Sequence, residues 1–181
     1  MDARERYANK LATVATKDIQ RSAVYDAEGW VRTMFDRAEE RDMRVVQVMG
    51  SQITLPIERK FASLESVQTY VDAVLALDWI AATWSEAGRA ITVRARSGSA
   101  AAHYERDTAT IAVPLHRGNK AWALRELVIL HELAHHFGNE DEPQHGGPFV
   151  DRYITLVGEI IGSEAGFVLR ATMAESGIRI G

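Results

Sequence analysis

The residues best suited to chemistry stand together at His131-Glu132-Leu133-Ala134-His135. Residues four apart on a helix lie one above the other, so His131 and His135 present both imidazoles to one side and can bind a single ion. Glu132, offset by one position, brings its carboxylate beside that ion, where it can take a proton from water. The run WALRELVIL before the motif contains no Gly or Pro and consists of helix and core formers. A Glu in so apolar a helix is costly without a metal or a partner. Four of the six histidines fall between 131 and 145, which also argues against isolated core histidines. The chain has no cysteine, so a metal must be held by nitrogen and oxygen, and imidazole donors point to zinc.

A zinc site of this kind needs a third protein ligand and an open position. His145, in the loop QHGGPF, can fold back over the helix end and ranks first on ligand chemistry. Asp141 completes the spacing HExxHxxGxxD with Gly138, although NEDE (139–142) reads as a solvated acidic loop. Asp141 could equally orient a ligand histidine. Glu159, on the following helical segment, is the third candidate. His136 points about 100° away from His135, away from the same ion, and reads in the first place as a packing residue, with a transition-state donor as the alternative. Tyr104, Tyr153 and His103 could stabilise an oxyanion, but no spacing fixes their positions. Trp30, Trp79, Trp84 and Trp122 read as core.

The elements that must position these residues can be followed along the chain. Residues 1–42 read as a helical N-terminal segment of two or three amphipathic helices, packed on the rest. RVVQV (44–48) and QITLPI (52–57), joined through Met49, Gly50 and Ser51, read as a hairpin. Residues 63–77 form a helical pattern, with Ser63 and Ser66 as a partial capping signal. AITVRAR (90–96) alternates as a half-buried strand, SGSA (97–100) reads as a turn, and AAHYE and TATIAVP (108–114) read as further strands. Pro114 closes the last strand or marks it as an edge. An edge there could take an extended peptide by strand addition. Residues 118–138 read as the motif helix, with Asn119 able to cap its start and Gly138 placed as its C′ residue. Two more helices are expected over 149–161 and 164–175, separated by Gly162 and Ser163.

The fold expected is one α+β domain over 1–181, zincin-like, with N-terminal helices, a small mainly antiparallel sheet, the HExxH helix and C-terminal helices. Hydrophobic residues at 46% and charged residues at 25% are ordinary for a globular chain and argue against disorder. A net charge of −4 gives no general field for nucleic acid or an anionic membrane. Arg89, Arg94, Arg96 and Arg106 could still form a local stripe. The charged start MDARERYANK is unlike a signal peptide, and no stretch approaches the ~20 apolar residues of a membrane span. The expectation is a cytoplasmic protein without membrane or nucleic-acid partners.

WALRELVILHELAHHF followed by HGGPFVDRYITLVGEIIGSEAGFVLR resembles an actinobacterial and actinophage family of HExxH metallohydrolases. RERYANKLATVATKDIQRSAVYDAE and ITVRARSGSAAAHYE fit the same family, so the resemblance spans nearly the whole chain. The resemblance names a motif rather than a substrate. More distantly, the order strand, strand, HExxH helix, then His-Gly-x-x-Phe is similar to SprT-like zinc proteases. That similarity implies His131, His135 and His145 as ligands and Glu132 as general base, with Gly146 and Phe149 matching the rest of the later segment. The absent cysteines exclude the zinc ribbon many of those proteins carry, and the acidic balance does not support their DNA association. Together these readings imply a zinc hydrolase, in the first place a metallopeptidase acting on a peptide or protein. The alternative is a zinc-binding structural or regulatory module without turnover, or an interaction domain in which the motif is vestigial.

Overall fold

The computed structural model describes residues 17–98, 101–115 and 122–181. The described chain is α+β, with six helices and two small sheets. It divides into two compact units. One draws on the chain up to Pro56 and on Gly138–Gly181, and the other is Ile57–Phe137. No helix is long and apolar enough to cross a membrane.

In the first unit, α1 (Arg21–Glu40) buries Val24, Ala27, Val31, Phe35 and Ala38, a single stripe at helical spacing. The expected helical pattern over residues 1–16 lies outside the described residues. Trp30, on the opposite face of α1, is 68% exposed, which corrects the expectation of a core residue. Strands β1 (Val45–Val48) and β2 (Ser51–Thr54) form the expected antiparallel hairpin. Its turn puts Met49 (φ 48°) and Gly50 (φ 79°) in the left-handed region, as a tight two-residue connection requires. Near the C-terminus, α5 (Gly147–Ile160) and α6 (Ser163–Glu175) pack against each other, and α1 packs on α6. Phe149, Tyr153, Leu156, Val168 and Leu169 are fully buried there. The backbone N–H of Gly181 donates to Gly147 at 3.0 Å.

The second unit begins with α2 (Leu64–Leu75), whose start is better defined than its sequence suggests. Ser63 accepts the Ser66 N–H while Ser66 accepts the Ser63 N–H, a reciprocal capping box with Ser in the place usually held by Glu or Gln. A short helix α3 (Asp78–Thr83) and a 3₁₀ turn (Ser85–Gly88) lead into strands β3 (Thr92–Arg96), β4 (His103–Glu105) and β5 (Thr110–Pro114). Their order is β3-β5-β4, with β3 parallel and β4 antiparallel to β5. Two of the three strand pairings in the described chain are therefore antiparallel, divided between two sheets rather than gathered in one. The expectation of β5 as a possible edge is corrected, since both its sides are already hydrogen-bonded and all five residues are buried. A peptide cannot add to it. Pro114 closes the strand, opposite Arg96.

The motif helix is α4 (Glu126–His136), shorter than the expected 118–138. Residues 116–121, including the proposed cap Asn119, lie outside the described residues. Immediately before α4 the backbone pairs with a neighbouring segment instead of coiling. Phe61 N–H donates to Leu124 (2.8 Å), Glu126 N–H donates to Arg59 (2.9 Å), and Lys60 and Arg125 form a β-bridge. Arg125 at the N-cap cannot accept the first-turn N–H groups. Glu58 does so instead: Oε1 accepts the Leu127 N–H at 3.0 Å, and the same carboxylate takes the Arg125 guanidinium. Glu126, fully buried, is held by the Arg59 N–H (3.0 Å), the Arg59 guanidinium (2.6 Å) and the Tyr70 hydroxyl (2.8 Å). At the other end Gly138 does not take the left-handed conformation of a C′ glycine. A Cβ at that position would instead run into the Glu142 carboxylate and the Arg152 guanidinium, themselves an ion pair.

Candidate metal centre

Every residue of α4 except His135 is buried, as expected of a helix apolar nearly all round. Within it the i, i+4 spacing brings the Nε2 atoms of His131 and His135 to 3.1 Å, with the rings inclined at 70°. Two nitrogens each ~2.0–2.1 Å from one tetrahedral zinc stand about 3.3 Å apart, so the pair already has the separation of shared ligands. Glu132, between them in sequence, is 3% exposed.

The end of α4 is held by two contacts. Arg106 donates to the His135 carbonyl at 2.8 Å, which compensates the negative end of the helix. His136 donates from Nε2 to the carbonyl of Glu86 (2.8 Å), so its Nδ1 accepts the hydroxyl of Tyr104 (2.8 Å). Burial lowers the His136 pKa, in keeping with a neutral ring that needs one N–H and one lone pair. The expectation that His136 packs rather than binds metal fits this arrangement. Phe137 stacks on Trp84 at 4.8 Å between ring centroids.

His145 lies just ahead of α5 and is 2% exposed. Its Nδ1 is 2.7 Å from Asp18 Oδ2, its carbonyl accepts from Gln20 Nε2 at 3.0 Å, and its ring leans on Tyr25 and Phe149. With Nδ1 taken by the carboxylate, Nε2 is left as the donor atom. Gly146 is the N-cap of α5 and Phe149 is fully buried, so both serve to seat His145.

The ring nitrogens offered by His131, His135 and His145 lie within 4.8 Å of one another, a group that could hold a metal ion. Three imidazoles, two of them deeply buried, suit zinc by donor type. Asp141 and Glu159 are exposed and are not members of this group. Tyr104 is engaged by His136, and Tyr153 is buried in its own unit against Phe149. His103 is spanned by Arg96 (2.6 Å) and Glu105 (3.1 Å) on β4. Sequence reasoning missed Asp18 and Gln20. An acidic residue shortly before a helix reads locally as a capping residue, and nothing near it in sequence points to His145. No protein-family model matches the chain, and neither the curated proteins nor the solved structures contain a match to it.

Proposed function

We propose that this protein is a zinc-dependent hydrolase with a zincin-like arrangement, in the first place a metallopeptidase of the HExxH metallohydrolase family. The observation that carries the reading is the grouping of three histidine nitrogens within 4.8 Å, with Glu132 adjoining His131. Three protein donors, the number grouped among the described residues, is the count of a catalytic zinc site, whereas structural sites close with four. Zinc bound there would supply Lewis acidity to water and to the carbonyl under attack. Glu132 accepts the proton of the attacking water and delivers it to the leaving amine. Burial of the carboxylate at 3% exposure keeps solvent from competing for that proton. His131 and His135, fixed by the helix, hold their nitrogens in place throughout, and His145 completes the set from its own loop.

The deep burial of His131, Glu132 and His145 favours a second reading, a zinc-binding structural or regulatory module without turnover. The Glu132→Gln variant separates the two. The hydrolase reading expects stoichiometric zinc in wild type and variant alike, with hydrolysis of a peptide library in the wild type and a loss of at least ~100-fold in the variant. Zinc without hydrolysis in the wild type selects the second reading. Wild-type protein that takes up no zinc after chelation and reloading defeats both.

A further inference from the structure

Asp18 and Gln20 stand just ahead of α1, and both reach the loop that carries His145. Gln20 Oε1 accepts the backbone N–H of Arg179 at 2.6 Å, which turns its Nε2 towards the carbonyls of His145 (3.0 Å) and Arg179 (3.3 Å). Ile19 between them is 80% exposed, in a turn whose Ile19 N–H donates to the Lys17 carbonyl at 3.0 Å. The backbone of His145 is thus held by one side chain of this segment and its ring by the other.

The ring contact decides chemistry. The partner of one imidazole nitrogen determines what the other can do. An ionised carboxylate only accepts, so Asp18 Oδ2 at 2.7 Å requires the hydrogen on His145 Nδ1 and leaves the lone pair on Nε2. Tyr25 and Phe149, with ring centroids 5.2 and 4.9 Å from that of His145, restrict its rotation. The second oxygen, Asp18 Oδ1, is closed off from solvent and has no hydrogen-bond partner among the described residues. A carboxylate left half satisfied is costly. A cation on the far nitrogen of the ring it holds would offset that cost through the imidazole.

We propose that Asp18 is a positioning residue of the metal centre, holding His145 as the Nδ1–H tautomer so that Nε2 becomes the third donor. This deepens the zinc reading above and rests on it. The carboxylate touches neither metal nor substrate. It acts by fixing which nitrogen of His145 is available and where that nitrogen points, the part outer carboxylates play around metal-bound histidines generally.

The test uses the full chain with Asp18→Ala and Asp18→Asn, and two measurements. The first is the tautomer of His145 in metal-free protein, from the ¹⁵N shifts of its ring nitrogens in mildly alkaline buffer. The second is zinc affinity by competition with a chelator. Wild type should show Nδ1–H. Asp18→Ala should release the ring to Nε2–H and weaken zinc binding ~10–100-fold. Asp18→Asn, whose amide oxygen still accepts Nδ1–H, should keep the tautomer and lose less affinity. An Nε2–H ring in the wild type, or zinc held as tightly by Asp18→Ala as by wild type, overturns the role of Asp18 and leaves the zinc reading standing. Wild type that binds no zinc overturns the zinc reading and the role of Asp18 with it. Should Asp18→Ala fail to fold, the Asn variant decides: Nδ1–H with weakened zinc binding supports the proposal, and unchanged affinity refutes it.

Discussion

Gly158 and Gly166 bring the backbones of α5 and α6 into contact, for a Cβ on Gly166 would stand 2.7 Å from the Cα of Gly158. Neither atom belongs to a side chain that could swing away. Ala at 166 would gain up to ~1 kcal/mol in helix propensity, but the helices would have to part, and overpacking of this kind costs ~1–3 kcal/mol. Gly166→Ala should therefore destabilise the protein by ~1–2 kcal/mol, lowering the melting temperature by ~2–8 °C. Gly88→Ala, where nothing among the described residues lies within 4 Å of an added Cβ, should leave it within about 1 °C and serves as the control.

The pairing of Glu58 with Arg125 is almost wholly out of solvent, with side-chain exposures of 3% and 6%. Removing one partner of such a pair strands the other charge, typically at ~3–5 kcal/mol. Glu58→Ala also takes away the acceptor of the Leu127 N–H. Thermal or denaturant unfolding of the metal-free variant should show a loss of at least ~3 kcal/mol. A loss below ~1 kcal/mol would mean that α4 does not depend on this anchor.

Burial, with the Glu126 carboxylate beside it, pushes the Tyr70 phenol well above its ordinary value of 10.0. In the unfolded chain the same phenol ionises near 10, so above that pH the unfolded state sheds a proton that the folded state retains. Stability tied to Tyr70 is complete below pH ~10 and falls as pH rises further, by up to ~1.4 kcal/mol per pH unit. Denaturant unfolding of wild type against Tyr70→Phe across the alkaline range should show the variant less sensitive to pH by that slope. Equal slopes would place no ionisation linkage at Tyr70.

The metal ligands give a graded expectation. His145→Ala should weaken zinc binding by more than the ~10–100-fold usual for losing an outer partner, because it removes a donor itself. Asp141→Ala and Glu159→Ala, both at exposed positions outside the histidine group, should leave affinity unchanged in a chelator competition. Zinc at a hundredfold excess over its dissociation constant should stabilise the wild type by ~2.7 kcal/mol and His145→Ala far less. A strong loss in Asp141→Ala would reverse the ranking of the third ligand.

What could be read from the sequence follows from the range over which each feature is encoded. His131 and His135 were legible because four residues on a helix is a local rule, and Met49-Gly50 because a tight turn is one too. His145 could be ranked by ligand chemistry and its short distance along the chain from the motif. Asp18 could not, since its contact with His145 spans 127 positions and no local pattern announces it. The start of α4 escapes local reading for a similar reason: the run 122–125 has a helical composition, yet the backbone of residues 124–126 pairs with 59–61. Strand order likewise depends on pairing, so β5 read as a possible edge although it is central. Trp30 shows the limit of residue type as a guide, because the buried stripe of α1 runs along its other face.

The anchoring of α4 has a consequence for its portability. The groups that satisfy its first turn, Glu58 on the Leu127 N–H and the Arg59 backbone and side chain on Glu126, come from a strand-like stretch more than sixty residues earlier. Its last turn is tied down by Arg106, Tyr104 and the Glu86 carbonyl. Relieved of capping itself, the helix can devote its own side chains to packing and to the two histidines. The same arrangement makes it a poor graft: excised as a peptide or moved to another scaffold, HELAH would keep its letters and lose the framework that sets its histidines 3.1 Å apart.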